Sequence, residues 1–194
     1  MAEPVYDLTI TNGTLATHET SEAVNIAITD GRFAALGDVS ADQGREHIDA
    51  TGLTILPGVI DTQVHFREPG IEHKEDLQSG SLAAVMGGVT GVFEMPNTKP
   101  PTTTAEAIED KVARAINRMH CDFAFYVGGT HENAEQLPEL EKMTGVCGVK
   151  VFMGSSTGNL LVPDDDGVAD ILKFIRRRAA FHSEDEFRLR ERRA

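Results

Sequence analysis

The sequence predicts an α/β chain in two parts. A small strand-rich sheet spans residues 1–57, and an incomplete (β/α)8 barrel of about five βα units spans residues 58–194. Three observations predict it. Short apolar runs separated by tight turns fill the first part. From Gly58 the pattern changes to strand, loop and helix in repetition, which gives a parallel sheet with helical crossovers. Residues 58–194 fall well short of the ~250 residues of a closed eightfold barrel. The end of the sequence supports a barrel that stops early over an open sheet. Phe187-Arg188-Leu189-Arg190-Glu191-Arg192-Arg193 reads as a helix only begun, so the chain is expected to be cut there.

The first part opens with an apolar run over 5–10, which meets Thr11-Asn12-Gly13-Thr14, where Asn-Gly suits a hairpin. A run over 23–29 follows, then Asp30-Gly31, a run over 32–36, a strand ending near His47-Ile48-Asp49, and one over 53–56 stopped by Pro57-Gly58. These are read as a small antiparallel sheet. In the second part strands are expected over 59–65, 90–95, 123–127, 148–152 and 179–182, with helices over 75–86, 104–119, 134–142 and 167–178. In the helix from Thr104, Ala105, Ile108, Val112, Ala115, Ile116 and Met119 form an i, i+3, i+4 stripe. Asp164, Asp165 and Asp166 sit at the start of the fourth helix and Arg176, Arg177 and Arg178 at its end, in accord with the helix dipole.

Composition narrows the function classes. The chain has 194 residues, 40% hydrophobic and 25% charged, which excludes disorder, collagen and coiled coil. With 18 basic against 31 acidic residues the net charge is −13, which gives no support to nucleic-acid or anionic-membrane binding. No apolar run approaches a membrane span, and residues 1–6 carry no secretory signal. Cys121 and Cys147 cannot make a disulfide framework, so a reduced cytoplasmic compartment is expected. Asp164-Asp165-Asp166-Gly167 lacks the other ligands of a calcium loop. His18, His47, His73, His120 and His131 read as solvated turn or helix-end residues.

Four stretches carry chemistry. In Gly58-Val59-Ile60-Asp61-Thr62-Gln63-Val64-His65-Phe66-Arg67-Glu68-Pro69-Gly70, strand alternation puts Asp61, Gln63, His65 and Arg67 on one face. Ile60, Thr62, Val64 and Phe66 then face covering helices. The stretch reads either as a barrel strand delivering polar groups to its C-terminal mouth or as a half-buried strand with a satisfied histidine. Lys150, set among Val149, Val151, Phe152 and Met153, is costly as a bare ammonium. It needs an ion-pair partner, a shifted pKa or covalent modification. Asn97 follows the second strand in Met95-Pro96-Asn97-Thr98-Lys99-Pro100-Pro101, and His182 ends the fifth. Singly each has a structural reading; together His65, Asn97, Lys150 and His182 fall at the same end of successive strands.

These segments, with Pro57-Gly58-Val59-Ile60-Asp61 and His182-Ser183-Glu184-Asp185, resemble the amidohydrolase superfamily, and within it the dihydroorotases, cyclic-amide hydrolases of pyrimidine biosynthesis. The resemblance covers the whole chain. It implies an N-terminal half of a β-sandwich over 1–57 and the first part of a metal-dependent hydrolase barrel over 58–194. By the resemblance, His65, Lys150 and His182 are metal ligands for one or two zinc ions, with Lys150 carboxylated by CO2 into a bridging carbamate. Arg67 and Asn97 bind the substrate carboxylate. The reaction implied interconverts dihydroorotate and N-carbamoyl-aspartate. Hydantoinases and allantoinases share the metal set, but their substrates lack the ring carboxylate.

The chain departs from the family pattern at two points. Gln63 stands where the usual His-x-His has its first ligand, and glutamine is a poor zinc ligand beside imidazole. A further metal-binding histidine and the catalytic aspartate would lie beyond Ala194, so no general acid/base is assigned within the chain. The expectation is that the 194 residues alone are unstable or inactive; robust zinc-dependent turnover by the purified chain contradicts it. The alternative from another class is a non-catalytic relative that serves as structural partner of aspartate transcarbamoylase, and the runner-up within the enzyme class is a hydantoinase- or allantoinase-type hydrolase; a homo-oligomer is the other partner expected.

Overall fold

In the computed structural model, residues 5–154, 156 and 158–193 are described. The chain divides into two compact units, Met1–Pro57 and Gly58–Ala194. No helix among the described residues is long and apolar enough to cross a membrane.

The first unit holds β1 (Tyr6–Thr11), β2 (Thr14–Ala16), β3 (Ser21–Ala23), β4 (Asn25–Thr29), β5 (Arg32–Gly37), β6 (Gly44–Asp49) and β7 (Thr54–Ile55). They form two sheets, of order β5-β4-β1-β6 and β3-β2-β7. Neither is purely antiparallel as expected, because β1–β6 and β2–β7 pair in parallel. Asp30 and Gly31 both take positive φ, and the turn they make pairs β4 with β5 from Thr29 and Arg32 inward. Asn12, at φ 65°, does not close a hairpin. Instead Asn12-Gly13 carries the chain from one sheet to the other, with the Asn12 N–H donating to Asn25 Oδ1 at 3.0 Å.

The second unit alternates β8 (Val59–Val64), α1 (Leu77–Met86), β9 (Val89–Glu94), α2 (Ala105–Ala115), β10 (Asp122–Gly128), α3 (Leu137–Leu140), β11 (Val146–Phe152), α4 (Asp165–Phe174), β12 (Ala179–His182) and α5 (Glu186–Arg193). The strands form one sheet of order β12-β11-β10-β9-β8, every pairing parallel. Capping side chains define where helices start. Asp76, Thr104 and Asp164 accept from the N–H of Ser79, Ala107 and Gly167, so the acidic run 164–166 is a helix start, as expected. Helix α2 stops at Ala115, short of the expected Met119, because Ile116 turns extended and Asn117 is left-handed at φ 61°. The third helical stretch is a 3-10 turn followed by the single turn of α3. Helix α4 ends at Phe174, so Arg176, Arg177 and Arg178 follow it instead of closing it.

Two apolar clusters show which way the strands face. Val64, Phe66, Val92, Phe123 and Phe125 pack with Leu77 and Ala115. Val127, Val149, Val151 and Phe181 pack with Ile108 and Ile171. These residues are the helix side, so by alternation His65, Lys150 and His182 lie on the opposite face. On edge strand β8 the apolar positions near its start are not covered, and Ile60 is 60% exposed where a packed face was expected. Gly80 fixes the seat of α1: a Cβ there would overlap the Phe66 ring. Gly70, at φ 86°, lets the loop after β8 reach the backbone of Lys99, whose N–H donates to Pro69 O at 2.9 Å.

Candidate metal and anion site

The strand-end residues gather although their strands are far apart in the sheet. His65 follows β8 at one edge and His182 ends β12 at the other. Four strand spacings in a flat sheet would separate them by about 19 Å. Yet the charges of Lys150 and His182 both act on His65, so the sheet is curled with these residues on its inner face.

His65 is half-buried, and its Nδ1 lies 2.9 Å from Asn97 Oδ1. A carbonyl oxygen only accepts, so Nδ1 carries the proton and Nε2 of the neutral ring keeps its lone pair. Burial above all, then the Arg67 guanidinium, holds the His65 pKa below the ordinary histidine value; Lys150 and His182 push the same way, and the Asn97 bond opposes them. The ring is therefore a neutral donor near pH 7. Arg67 has left-handed backbone, φ 66°, and no carboxylate pairs with its guanidinium among the described residues.

Lys150 is 2% exposed in the middle of the sheet, between Gly128 on β10 and Ala180 on β12. Among the described residues no acid pairs with it; burial alone lowers its pKa, and its Nζ stands 5.1 Å from the Phe152 ring centroid. The His182 ring stacks on Phe152 at 5.8 Å, and its Nε2 lies 3.0 Å from Glu184 Oε2. Gln63 is exposed and its backbone N–H is bound to Asp61 Oδ1 at 2.9 Å.

Two imidazoles and a buried lysine, which has no paired acid among the described residues, stand on one face of the sheet. Among the described residues no group of three or more His, Cys, Asp or Glu side chains could hold an ion by itself. The physical reason is in the sequence: one strand delivers lysine and the His-x-His position holds Gln63.

Sequence reasoning missed the support beneath the site. Glu94 and Lys111 form an ion pair buried to 1% and 0% exposure between β9 and α2. Burial lifts the Glu94 pKa to about 7, opposed by Lys111 and by the N–H groups of Arg67 and Phe66. Glu68 is also buried, taking two bonds from Arg118, at 2.7 and 3.2 Å, and one from the Leu77 N–H. Asn133 ties the loops after β9 and β10 by donating to Thr103 O and Gly128 O, each at 2.8 Å. Lys111 left a usable signal, a charge three residues from Ile108 and four from Ala115 on the apolar stripe of α2. Cys147 is a half-buried thiol whose pKa burial pushes up to about 12, in keeping with a structural role.

Comparisons with known proteins bear on the family and the fold. The family model described as dihydro-orotase-like matches residues 52–153. A dihydroorotase of Methanosarcina mazei is 36% identical over 184 residues, 93% of this chain and 40% of that protein. An allantoinase of Rubrobacter xylanophilus is 39% identical over 167 residues, 86% of this chain and 36% of that protein. Among solved structures, the L-hydantoinase (dihydropyrimidinase) of Arthrobacter aurescens superposes with a TM-score of 0.87 at 29% identity, covering 96% of this chain and 42% of that one. The chain thus spans about two fifths of the length of these relatives.

Proposed function

The chain belongs to the dihydro-orotase-like family, and from that premise we propose that it carries the metal-binding and carboxylate-binding residues of a cyclic-amide hydrolase acting on dihydroorotate. The observation that carries this reading is the His65–Asn97 hydrogen bond beside an Arg67 that has no acidic partner among the described residues. One amide orients an imidazole on which the charge of the Arg67 guanidinium also acts.

His65, Lys150 and His182 would hold the zinc. Burial favours the neutral amine of Lys150, whose nitrogen forms a bond to the carbon of CO2 and gives up a proton to solvent. The resulting carbamate turns an expensive buried cation into an anionic oxygen ligand. When bound, zinc supplies Lewis acidity toward the ring amide and acidifies water. Asn97 keeps the proton of His65 on Nδ1, so that Nε2 is the donor. Arg67 takes the ring carboxylate in a charge-assisted pair, which orients the scissile amide. The reaction proposed is hydrolysis of dihydroorotate to N-carbamoyl-aspartate and its reverse, in pyrimidine biosynthesis.

A carboxylate-free ring is the second reading, favoured by the likeness to an allantoinase. Calorimetric titration of the zinc-loaded chain with dihydroorotate, allantoin and hydantoin separates the two. The expected result is a preference for dihydroorotate that Arg67→Gln lowers by about 10- to 100-fold, the worth of a hydrogen bond between charged groups. Equal or tighter binding of allantoin, unchanged in Arg67→Gln, overturns the dihydroorotate reading.

A further inference from the structure

Arg67 follows β8 in the left-handed region, at φ 66°, which a residue with a side chain rarely adopts. Its two neighbours show what holds it there. Before it, the buried Phe66 packs with Leu77, the first residue of α1. After it, the buried Glu68 carboxylate accepts from Arg118 Nη1 at 2.7 Å and from Arg118 Nη2 at 3.2 Å, one bond to each oxygen. It also accepts from the Leu77 N–H at 3.1 Å. Two parallel bonds from one guanidinium fix the direction of the carboxylate as well as its distance. Both neighbours of Arg67 are therefore fastened on the helix side, to the start of α1 and to the segment after α2 that carries Arg118. The carbonyl between them is held too, since Arg67 O accepts from the Ile71 N–H at 3.1 Å. Beyond Glu68, Pro69 O accepts from the N–H of Lys99, two residues past Asn97, at 2.9 Å. An extended or right-handed Arg67 would redirect the chain away from these partners. The unfavourable backbone persists because its surroundings over-determine it.

We infer that Glu68 and Arg118 are positioning residues for Arg67: their ion pair holds the left-handed turn from the helix side and so presents the guanidinium, already ordered, to the substrate carboxylate. The inference rests on the reading of Arg67 as the partner of that carboxylate. Neither Glu68 nor Arg118 touches substrate.

The test uses the full chain labelled with 13C and 15N. NMR of the purified chain reads the one-bond Cα–Hα coupling of Arg67, which separates positive from negative φ. Calorimetry of the zinc-loaded chain then compares dihydroorotate with hydantoin. Glu68→Gln/Arg118→Met removes both charges and nearly keeps the volume. Arg118→Gln, at a partly exposed position, is the milder change and decides the matter should the double variant not fold. A variant counts as folded when it melts cooperatively and keeps the His65 Nδ1–H signal. In the folded variant the Arg67 coupling is expected to move toward negative φ. Its dihydroorotate affinity is expected to fall by about tenfold, the cost of ordering a freed side chain on binding, while that for hydantoin is unchanged. A merely structural pair would lower the melting temperature and leave the coupling and the preference as in wild type. Either readout at its wild-type value in a folded variant overturns the inference. Should Arg67→Gln leave dihydroorotate binding unchanged in the otherwise wild-type chain, the reading of Arg67 fails by itself. The coupling alone then decides whether the pair holds the turn.

Discussion

Two buried lysines show how much one neighbour decides. Lys111 is fully buried and has a carboxylate, a carbonyl and a hydroxyl around its ammonium. Lys150 is 2% exposed and has no acid paired with it among the described residues, so burial acts on it unopposed. Lys150 is legible in the sequence because apolar residues flank it on both sides. Lys111 leaves only a fainter trace, its place on the apolar stripe of α2, since a lysine in a helix is ordinarily solvated and its acid lies on a different element. His65 and Asn97 are each legible as strand-end residues, but the bond between them depends on how two loops approach, which spacing does not encode. The titration of His65 gives a prediction at this scale. Its folded pKa lies below its unfolded value of 6.5, so the folded chain binds fewer protons between those two values. Its contribution to stability is whole above pH 6.5 and is lost as pH falls below it. Denaturant melts from pH 7.5 to 5 are expected to show stability declining on the acid side, with a shallower decline in His65→Gln. Identical slopes in the two proteins would contradict the assignment.

Elements are readable where local chemistry sets them. The caps at Asp76, Thr104 and Asp164 start helices where the sequence puts a short polar side chain before the run, amphipathic after Thr104 and Asp164. Helix ends are less readable. The stripe of α2 continues through Ile116 and Met119, but backbone at Asn117 leaves the helix. Asn12-Gly13 has the composition of a hairpin turn, yet its flanks belong to different sheets, because strand pairing is decided by partners distant in sequence. The packing of α1 on the turn after β8 is set by the missing side chain of Gly80, which faces the Phe66 ring. Gly80→Ala would gain about 1 kcal/mol of helix propensity. It also forces the ring beside His65 to move, at about 1–3 kcal/mol for overpacking. A net loss of stability is expected in urea melts, with a shifted His65 signal; a stabilised variant would show that Phe66 has room to yield.

At the scale of the whole molecule, a parallel sheet with helices on one face leaves its other face to side chains delivered by alternation. That rule makes the site legible from residue order: the polar member of each strand end, at residues 65, 150 and 182, points away from the helices. The layer between sheet and helices is not legible in that way, because Glu94, Lys111, Glu68 and Arg118 meet there across elements distant in sequence. The central claim is that this inner face uses Lys150 as a metal ligand in carboxylated form. The most direct measurement is 13C NMR of the full chain equilibrated with zinc and 13C-bicarbonate, for wild type and Lys150→Ala. The account predicts a single protein carbamate resonance in wild type, absent from Lys150→Ala, with Lys111 remaining an unmodified, ion-paired amine. No carbamate in wild type, or one that persists in Lys150→Ala, would contradict it.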